Sequence, residues 1–458
     1  MKTETIAAIA TGLSNAGISI VRISGDEAFH IIDRIYHSKS GNKLLSNEKS
    51  HTLHYGFIMD EEKVVDEVMV AIMKAPSTYT REDSVEINCH GGIVVTRKVL
   101  EVVLKNGARI AEPGEFTKRA FLNGRIDLSQ AEAVSDIIHA KNELALKNSL
   151  NQLRGNVLDL IKNIREDVLR DIAFIEAALD DPEHISLEGF DSELTQHIIK
   201  ERNLIEQILN ESKNGKIIKE GIKTVIIGKP NAGKSSLLNY LVGEERAIVT
   251  DIAGTTRDTL EETINYDGII LNIIDTAGIR DTQDIIEKMG VDKALKIAED
   301  ADLIIYVLDS STSLDCNDEI ILEMIKDKKS ILLLNKSDLN TMVTAQEIKE
   351  KVNHPVINVS VKEEEGLSVF GDTLKEMFFG GEISFNDEIY ITNERQKEAF
   401  IEANQSLLMV LNSIEAGMPE DFYSIDLMSA YEALGRIIGE NVEEDLVNMI
   451  FKEFCMGK

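Results

Sequence analysis

Gly228-Lys-Pro-Asn-Ala-Gly-Lys-Ser235 sets two glycines, a lysine and a serine at the spacing GxxxxGKS. That spacing wraps backbone N–H groups around phosphate oxygens, carries the Lys234 ammonium to the β- and γ-phosphates, and offers the Ser235 hydroxyl to Mg²⁺. Asp275-Thr276-Ala277-Gly278 ends an apolar run from Ile269 to Ile274, where a carboxylate can hold Mg²⁺ through water and the Gly278 N–H can meet the γ-phosphate. Asn335-Lys336-Ser-Asp338 follows a second apolar run, Ser330 to Leu334. The Asp338 carboxylate can accept from guanine N1–H and the 2-amino group, a donor pair that adenine lacks, so the expected base is guanine. Between the first two motifs, Thr250-Asp251-Ile252-Ala253-Gly254-Thr255-Thr256 stands where the first switch loop belongs, with Thr256 as the second Mg²⁺ ligand. Four motifs in this order specify a GTPase. Its nucleotide-binding set takes in Asn231, Ala232, Gly233, Lys234, Ser235 and Ser236 of the first loop together with the residues just named.

One position breaks the usual pattern. Ile279 follows the Asp-Thr-Ala-Gly segment, where the best-known GTPases carry a glutamine that orients the attacking water. Isoleucine has no polar atom for that task. Hydrolysis therefore needs another residue, an ion or a partner, and Asn231 and the acidic stretch after Arg280 are where to look.

These residues need strands and helices to hold them. Thr224 to Ile227 reads as a buried strand before the glycine-rich loop, and Ser236 to Val242 as the helix after it. Leu303 to Asp309, Ser330 to Asn335 and Val356 to Ser360 continue a βα alternation over residues 217–380, the rhythm of a doubly wound sheet. Residues 1–118 read as α+β, with strands at Thr5–Ile9, Ile18–Ile23, His51–Met59, Val64–Met73 and Ser84–Cys89 and helices at Ala28–Tyr36 and Val94–Lys105. Residues 119–216 read as helical, with Ser129 as an N-cap and Glu132 as its N3 acid, a break at Asp180-Asp-Pro182, and a helix from Asp191 to about Glu211. Lys213, Lys216, Lys219 and Lys223 then mark a short basic linker. Residues 381–458 return to helix, at Glu394–Glu415, Asp421–Gly439 and Val442–Phe454. The simplest organisation is one helical domain with the GTPase inserted in it; two separate bundles are the alternative.

With 49 Lys and Arg against 80 Asp and Glu, the 458-residue chain carries a net charge of −31. Its average field therefore repels nucleic acid, and any such contact needs a local basic patch or a partner protein. Cys89, Cys316 and Cys455 lie far apart, with neither metal-ligand spacing nor a disulfide framework. No signal pattern and no bilayer-length apolar run is present, so a cytoplasmic protein without a membrane is expected. Cys89 and His90 are neighbours on a strand and point to opposite faces, so Cys89 reads as a buried thiol rather than half of a catalytic pair. Cys455 admits two readings: a core cysteine at a helix end with Gly457 as the C-cap, or a reactive group.

Thr5-Ile-Ala-Ala-Ile-Ala10, Ile20-Val-Arg-Ile-Ser-Gly25, Glu112-Pro-Gly-Glu-Phe-Thr117, Arg119-Ala-Phe-Leu-Asn-Gly124 and the terminal Cys-x-Gly-Lys, taken with the GTPase motifs, resemble the MnmE (TrmE) family of tRNA-modifying GTPases, within the TrmE-Era-EngA-like superfamily. The resemblance covers essentially the whole chain. It implies an N-terminal folate-binding-like dimerisation domain, a helical domain and an inserted Ras-like P-loop GTPase domain. It further implies a homodimer that joins a flavin-dependent partner, MnmG, in a heterotetramer, and attaches a carboxymethylaminomethyl-type group to C5 of the wobble uridine, position 34, of certain tRNAs. The one-carbon donor would be a 5-formyl- or methylene-tetrahydrofolate, contacted by Arg22, Glu86, Arg125 and Lys458. The resemblance also supplies what Ile279 lacks. It implies K⁺ bound by the Asn231 side chain and by main-chain oxygens of Thr250, Ile252 and Thr255, and Glu287 positioning the attacking water. With Lys234 of the glycine-rich loop, Glu287 and Cys455 make up the catalytic set that the resemblance implies. The base-side Ser-Ala-Lys of many GTPases reads Ser360-Val361-Lys362, and the glycine-rich turn usual in the family reads Gly12-Leu-Ser-Asn-Ala-Gly17. A regulatory GTPase in ribosome assembly and a folate-binding scaffold whose GTPase controls assembly stay open as other readings.

Overall fold

A computed structural model of the chain describes residues 4–39, 41, 43–243, 262–274, 301–379, 391–442, 444–452, 454 and 457. The expected switch segment Thr250–Thr256, Asp275–Gly278, Ile279, Glu287, Cys455 and Lys458 lie outside the described residues. The described chain forms two compact units, one of residues 1–138, 152–199 and 402–458, the other of residues 139–151 and 200–401.

The first unit begins with a seven-stranded sheet. Its strands are β1 (Ile6–Ile9), β2 (Ile18–Ser24), β3 (Tyr36–Ser38), β4 (Thr52–Asp60), β5 (Lys63–Met73), β6 (Ser84–His90) and β7 (Arg109–Ile110), in the order β3-β4-β5-β6-β2-β1-β7. Every pairing is antiparallel except β1 with β7. Helices α1 (Ala28–Ile35) and α2 (Ile93–Lys105) set Ile31, Ile32, Val99 and Val103 against Val21, Ile23, Val85 and Ile87 to make one core. Strand alternation decides what the other face carries. Ala7 joins the helix-side core, while Ile6 and Ala8 turn away to meet Ala111 and Phe116. By the same rule Arg22 and Glu86, each flanked by core residues, share the far face, and the register sets them directly opposite. Cys89 falls on the core side, 2% exposed, with its Sγ 3.4 Å from the Ser19 carbonyl, and burial pushes its thiol pKa up. His90 turns outward and bonds Asp66. The two neighbours thus do separate things, as the alternation predicts.

Helices α3 (Glu115–Leu122), α4 (Leu128–His139), α5 (Glu143–Arg154), α6 (Asn156–Asp180) and α7 (Phe190–Glu220) follow. Two expectations are corrected here. Ser129 is not the cap of α4. Asp127 is: its Oδ1 accepts from the Ser129 and Gln130 amides at 2.7 and 3.2 Å, and Gln130 Oε1 accepts from the Asp127 N–H at 3.0 Å. This is a capping box two residues before the expected one. The basic linker is not a linker either, because α7 runs unbroken to Glu220. Lys216 and Lys219 belong to its outer face, while Ile218 between them is 5% exposed and Ile217 packs on the core of the nucleotide domain. Lysines three apart are a solvated helical face as readily as a loop.

The second unit carries a six-stranded sheet of β8 (Ile222–Gly228), β9 (Glu262–Tyr266), β10 (Ile269–Ile273), β11 (Leu303–Asp309), β12 (Ser330–Asn335) and β13 (Val356–Asn358), ordered β13-β12-β11-β8-β10-β9. All pairings are parallel except β9 with β10 at the edge. Its described helices are α8 (Lys234–Gly243), α9 (Cys316–Met324), α10 (Ala345–Lys349) and α11 (Leu367–Phe379). Both faces are apolar, with Ile226, Leu333 and Phe370 in one core and Ile304, Leu332 and Ile348 in the other. This is the sheet that the run of β-branched residues before each motif requires.

Helices α12 (Glu394–Glu415), α13 (Glu420–Ile438) and α14 (Glu444–Lys452) complete the chain. Within the first unit α13 returns to α6: Ser424 donates to Glu176 at 2.5 Å, and Arg165 reaches Glu440 at 2.6 Å while lying 4.0 Å over the Tyr431 ring. Phe451 and Phe454 pack with Ala120, Ile126 and Leu128. Gly457 does not cap α14, which ends at Lys452. Its φ of +84° lets the backbone press against Ile9 and Ala10, where a Cβ would collide. None of the described helices is long and apolar enough to cross a membrane.

A buried carboxylate ties α3 to β7 and to the loop before β6. Glu115 accepts from Arg109 at 2.7 Å, from Arg119 at 2.9 Å and from the Glu112 N–H at 2.8 Å, and Arg119 also reaches Glu82 at 3.0 Å. Burial alone would raise the Glu115 pKa, but Arg109, the Glu112 N–H and Arg119 hold it down to about 2, against an ordinary 4.5. A depressed carboxyl stabilises the fold above the unfolded-state value and loses that contribution as pH falls. Acid unfolding should therefore show stability lost between pH 4.5 and about 2. Glu115→Gln should remove that limb and cost about 3 kcal/mol at neutral pH by leaving buried guanidinium charge under-paired. Circular dichroism across a pH series checks this; an unchanged acid limb contradicts it.

Candidate functional site

β8 delivers the glycine-rich loop at its C-terminal end, with Val225, Ile226 and Ile227 buried behind it. Besides Gly228 at its start, with φ +154°, two residues bend the loop. Asn231 has φ +61° and Gly233 φ +105°. A Cβ at Gly233 would collide with Asn335 Nδ2, so only glycine fits there. α8 starts at Lys234, which puts Ser235 in its first turn and the positive end of the helix dipole at the loop. The Lys234 Nζ turns back on the loop and donates to the Gly228 and Lys229 carbonyls at 2.8 and 2.7 Å, and burial lowers its pKa.

Asn335, the last residue of β12 and 4% exposed, joins three motifs through one carboxamide. Its Nδ2 donates to the Ala232 carbonyl at 2.8 Å, and its Oδ1 accepts the Val361 N–H at 3.1 Å. Ser360 Oγ donates to Asp338 Oδ1 at 2.7 Å, so the Asp338 carboxylate is oriented by the neighbouring loop. Lys336, at φ +65°, sets its Nζ 2.5 Å from Asp309 Oδ2. Lys362 points to solvent beside Glu363, which raises its pKa. The structure thus gathers Asn231, Ala232, Gly233, Lys234, Ser235, Asn335, Lys336, Asp338, Ser360 and Val361 at one end of the sheet. That is the carboxyl end of its parallel strands, where doubly wound sheets bind ligands.

A second cluster lies on the far face of the N-terminal sheet. Arg22 bonds Glu86 through Nε and Nη2 at 2.9 and 2.8 Å and donates from Nη1 to the Gly457 carbonyl at 3.2 Å. Its guanidinium sits 5.6 Å from the Phe116 ring centroid and 5.8 Å from that of Tyr79. Arg125 lies over the same Tyr79 ring at 4.6 Å and lines an open groove of about 410 Å³ with Gln130, Val134 and Leu153. Two of the four expected folate contacts, Arg22 and Arg125, therefore share the Tyr79 ring, and Glu86 joins them through its pairing with Arg22. Lys458, the fourth, lies outside the described residues, one position beyond Gly457.

Comparison with known proteins bears on the chain at the level of whole sequences. The family model for the GTP-binding protein TrmE N-terminus matches residues 5–125, and that for the MnmE helical domain matches residues 128–455. A tRNA modification GTPase MnmE from Lachnoclostridium phytofermentans is 65% identical over 458 residues, all of both chains. The chain belongs to the MnmE family. Those named tRNA modification GTPase MnmE from Enterococcus faecalis and Bacillus subtilis are 48% and 46% identical, each over at least 99% of both chains.

Within this MnmE family member, one residue of the second cluster carried no readable signal. Tyr79 sits in Ser77-Thr-Tyr-Thr80, which has no periodic or catalytic pattern. Asp309 did have one: an acid closing an apolar parallel strand. Asn335 was legible as part of Asn-Lys-x-Asp, but its bond to Ala232 joins residues 103 apart and is a product of the fold. Asn335→Ala should loosen both loops it holds and leave the Ala232 carbonyl and the Val361 N–H without partners, at about 1 kcal/mol each. A fluorescent GDP titration should show affinity down about thirtyfold. An affinity within twofold of wild type contradicts the bridging role.

Proposed function

We propose that this chain is the GTP-hydrolysing component of a tRNA-modifying system, adding a carboxymethylaminomethyl-type group to C5 of uridine 34. What carries this reading is the Asn335 carboxamide, which draws the phosphate loop, the guanine-reading Asp338 and the Ser360–Val361 turn into one constellation. Lys234 exchanges the Gly228 and Lys229 carbonyls for the β- and γ-phosphates when nucleotide enters. A half-buried ammonium whose partners among the described residues are two carbonyls suits an incoming anion. The Ser235 hydroxyl, at the start of α8, and Thr256 would hold Mg²⁺. The donor chemistry fits, since hard oxygens suit that ion. The Asn231 side chain, held at φ +61° beside Lys234, would hold K⁺ with Thr250, Ile252 and Thr255. Bound there, a monovalent cation supplies positive charge to the developing phosphoryl oxygens. Glu287 is the residue proposed to position the attacking water that Ile279 cannot.

The Arg22, Glu86, Arg125 and Tyr79 platform is where a tetrahydrofolate derivative would bind. Stacked guanidinium and aromatic groups suit a planar ring with a carboxylate tail, and Lys458 would join them. Cys455 is the candidate for chemistry on the one-carbon unit. A homodimer, a flavin-dependent partner and a cytoplasmic setting complete the proposal. The functional division follows residues 1–118, 119–216, 217–380 and 381–458.

Nucleoside analysis of tRNA from a strain lacking this gene tests the reading: the modified wobble uridine should vanish and return with the wild-type gene. An unchanged nucleoside profile would leave a regulatory GTPase instead. For the purified chain, hydrolysis should run faster in potassium than in sodium, and Asn231→Ala should abolish that difference. Equal rates in the two salts would reject the cation site.

A further inference from the structure

Lys229, the second residue of the glycine-rich loop, has so far had no part in nucleotide contact, yet its ammonium is fixed on both sides. Its Nζ lies 2.5 Å from Asp318 Oδ2 and 2.8 Å from Asp315 Oδ2. Asp318 is 2% exposed and belongs to the first turn of α9. Its Oδ1 accepts the Tyr306 hydroxyl at 2.7 Å, and its Oδ2 also accepts the Asp315 N–H at 2.9 Å. Asp315 returns the favour as the N-cap, accepting from the Asn317 and Asp318 amides at 2.9 and 3.2 Å. The acid that closes the capping box of one element therefore grips the loop of another, and a wholly buried tyrosine of β11 holds that acid still.

We propose that the Lys229–Asp318 contact tethers the phosphate loop in its nucleotide-receiving shape, making Lys229 a positioning residue for GTP binding. The inference rests on the guanine-nucleotide reading of the site and adds to it how the empty loop keeps its form. The backbone of Lys229 is one of the two places where the Lys234 ammonium rests, through the carbonyl at 2.7 Å. Fixing the Lys229 side chain thus fixes an anchor of the lysine that must reach the phosphates. Two residues on, Asn231 holds φ +61°, the left-handed turn that asparagine tolerates best among residues with a side chain. The loop is otherwise restrained on its far side by the Asn335–Ala232 bond, so the Lys229 tether secures the near side. Burial works against the Lys229 charge, but Asp315 and Asp318 more than offset it and its pKa ends above the usual value.

The test uses the full-length chain, fluorescent GDP titration and steady-state GTP hydrolysis. Lys229→Ala should weaken GDP binding about tenfold, the scale of one charge-assisted contact. The KM for GTP should rise by more than kcat falls, because the tether shapes the ground state of the loop. Lys229→Arg should recover most of the affinity, since a guanidinium reaches both carboxylates with the same charge. Asp318→Asn should weaken binding in the same sense, and the double variant should be no weaker than the worse single. Thermal melts of each variant, with Lys229→Met as a stem-preserving control, separate tether loss from unfolding; Lys229→Met should fold normally and still bind weakly. Wild-type affinity in Lys229→Ala, or losses that multiply in the double variant, would overturn the inference. Failure of the wild type itself to bind GDP would instead overturn the guanine-nucleotide reading, and this inference with it.

Discussion

The nucleotide half of this molecule depends on where one carboxamide is held. Asn335 stands at the end of a strand whose six residues are all buried, so its backbone cannot drift. From there it donates to the phosphate loop and accepts from the Ser360–Val361 turn. Each of those bonds is worth about 1 kcal/mol net. Their consequence is larger than their energy, because two loops from different crossovers share one group with no freedom to satisfy only one of them. Gly233 follows from this: the amide lies so close that any side chain there would displace it.

The N-terminal half obeys a different constraint, the two-residue period of its strands. Placing Val21, Ile23, Val85 and Ile87 against the helices leaves Arg22 and Glu86 no choice of face. The pair then meets Tyr79 and Phe116, and the end of the chain comes to it: the Gly457 carbonyl, 435 residues from Arg22, accepts from that guanidinium. Phe451 and Phe454 bring the tail there by packing on Ala120 and Leu128, and Gly457 allows the last approach.

What the sequence disclosed, and what it withheld, follows from range. The glycine-rich loop, Asn-Lys-Ser-Asp and the strands before them were legible because spacing and apolar runs are local. Cys89 and His90 were legible because alternation is local too. Asp127 was passed over for Ser129 because both residue types cap helices, and only the Gln130 side chain reaching back decides between them. The end of α7 was misplaced because Lys216 and Lys219 show charge without showing which face it occupies, and the buried face of Ile217 and Ile218 is set by the core it meets. The sequence assigned Lys229 no role beyond its place in the glycine-rich loop. Its partner Asp318 lies on a helix 89 residues downstream, and nothing in either segment announces the other. The switch segments, Glu287 and Cys455 were read from motif and resemblance alone.

If guanine binding by this chain drives tRNA modification, changing the base that Asp338 is proposed to read tests it most directly. Asp338→Asn exchanges an acceptor for a group that pairs with xanthine in place of guanine. The variant, added to an extract of a strain lacking the wild-type gene, should support wobble-uridine modification with xanthosine triphosphate and fail with GTP. Modification that continues with GTP as in the wild type, or that ignores the added xanthosine nucleotide while the variant binds it, would contradict the account.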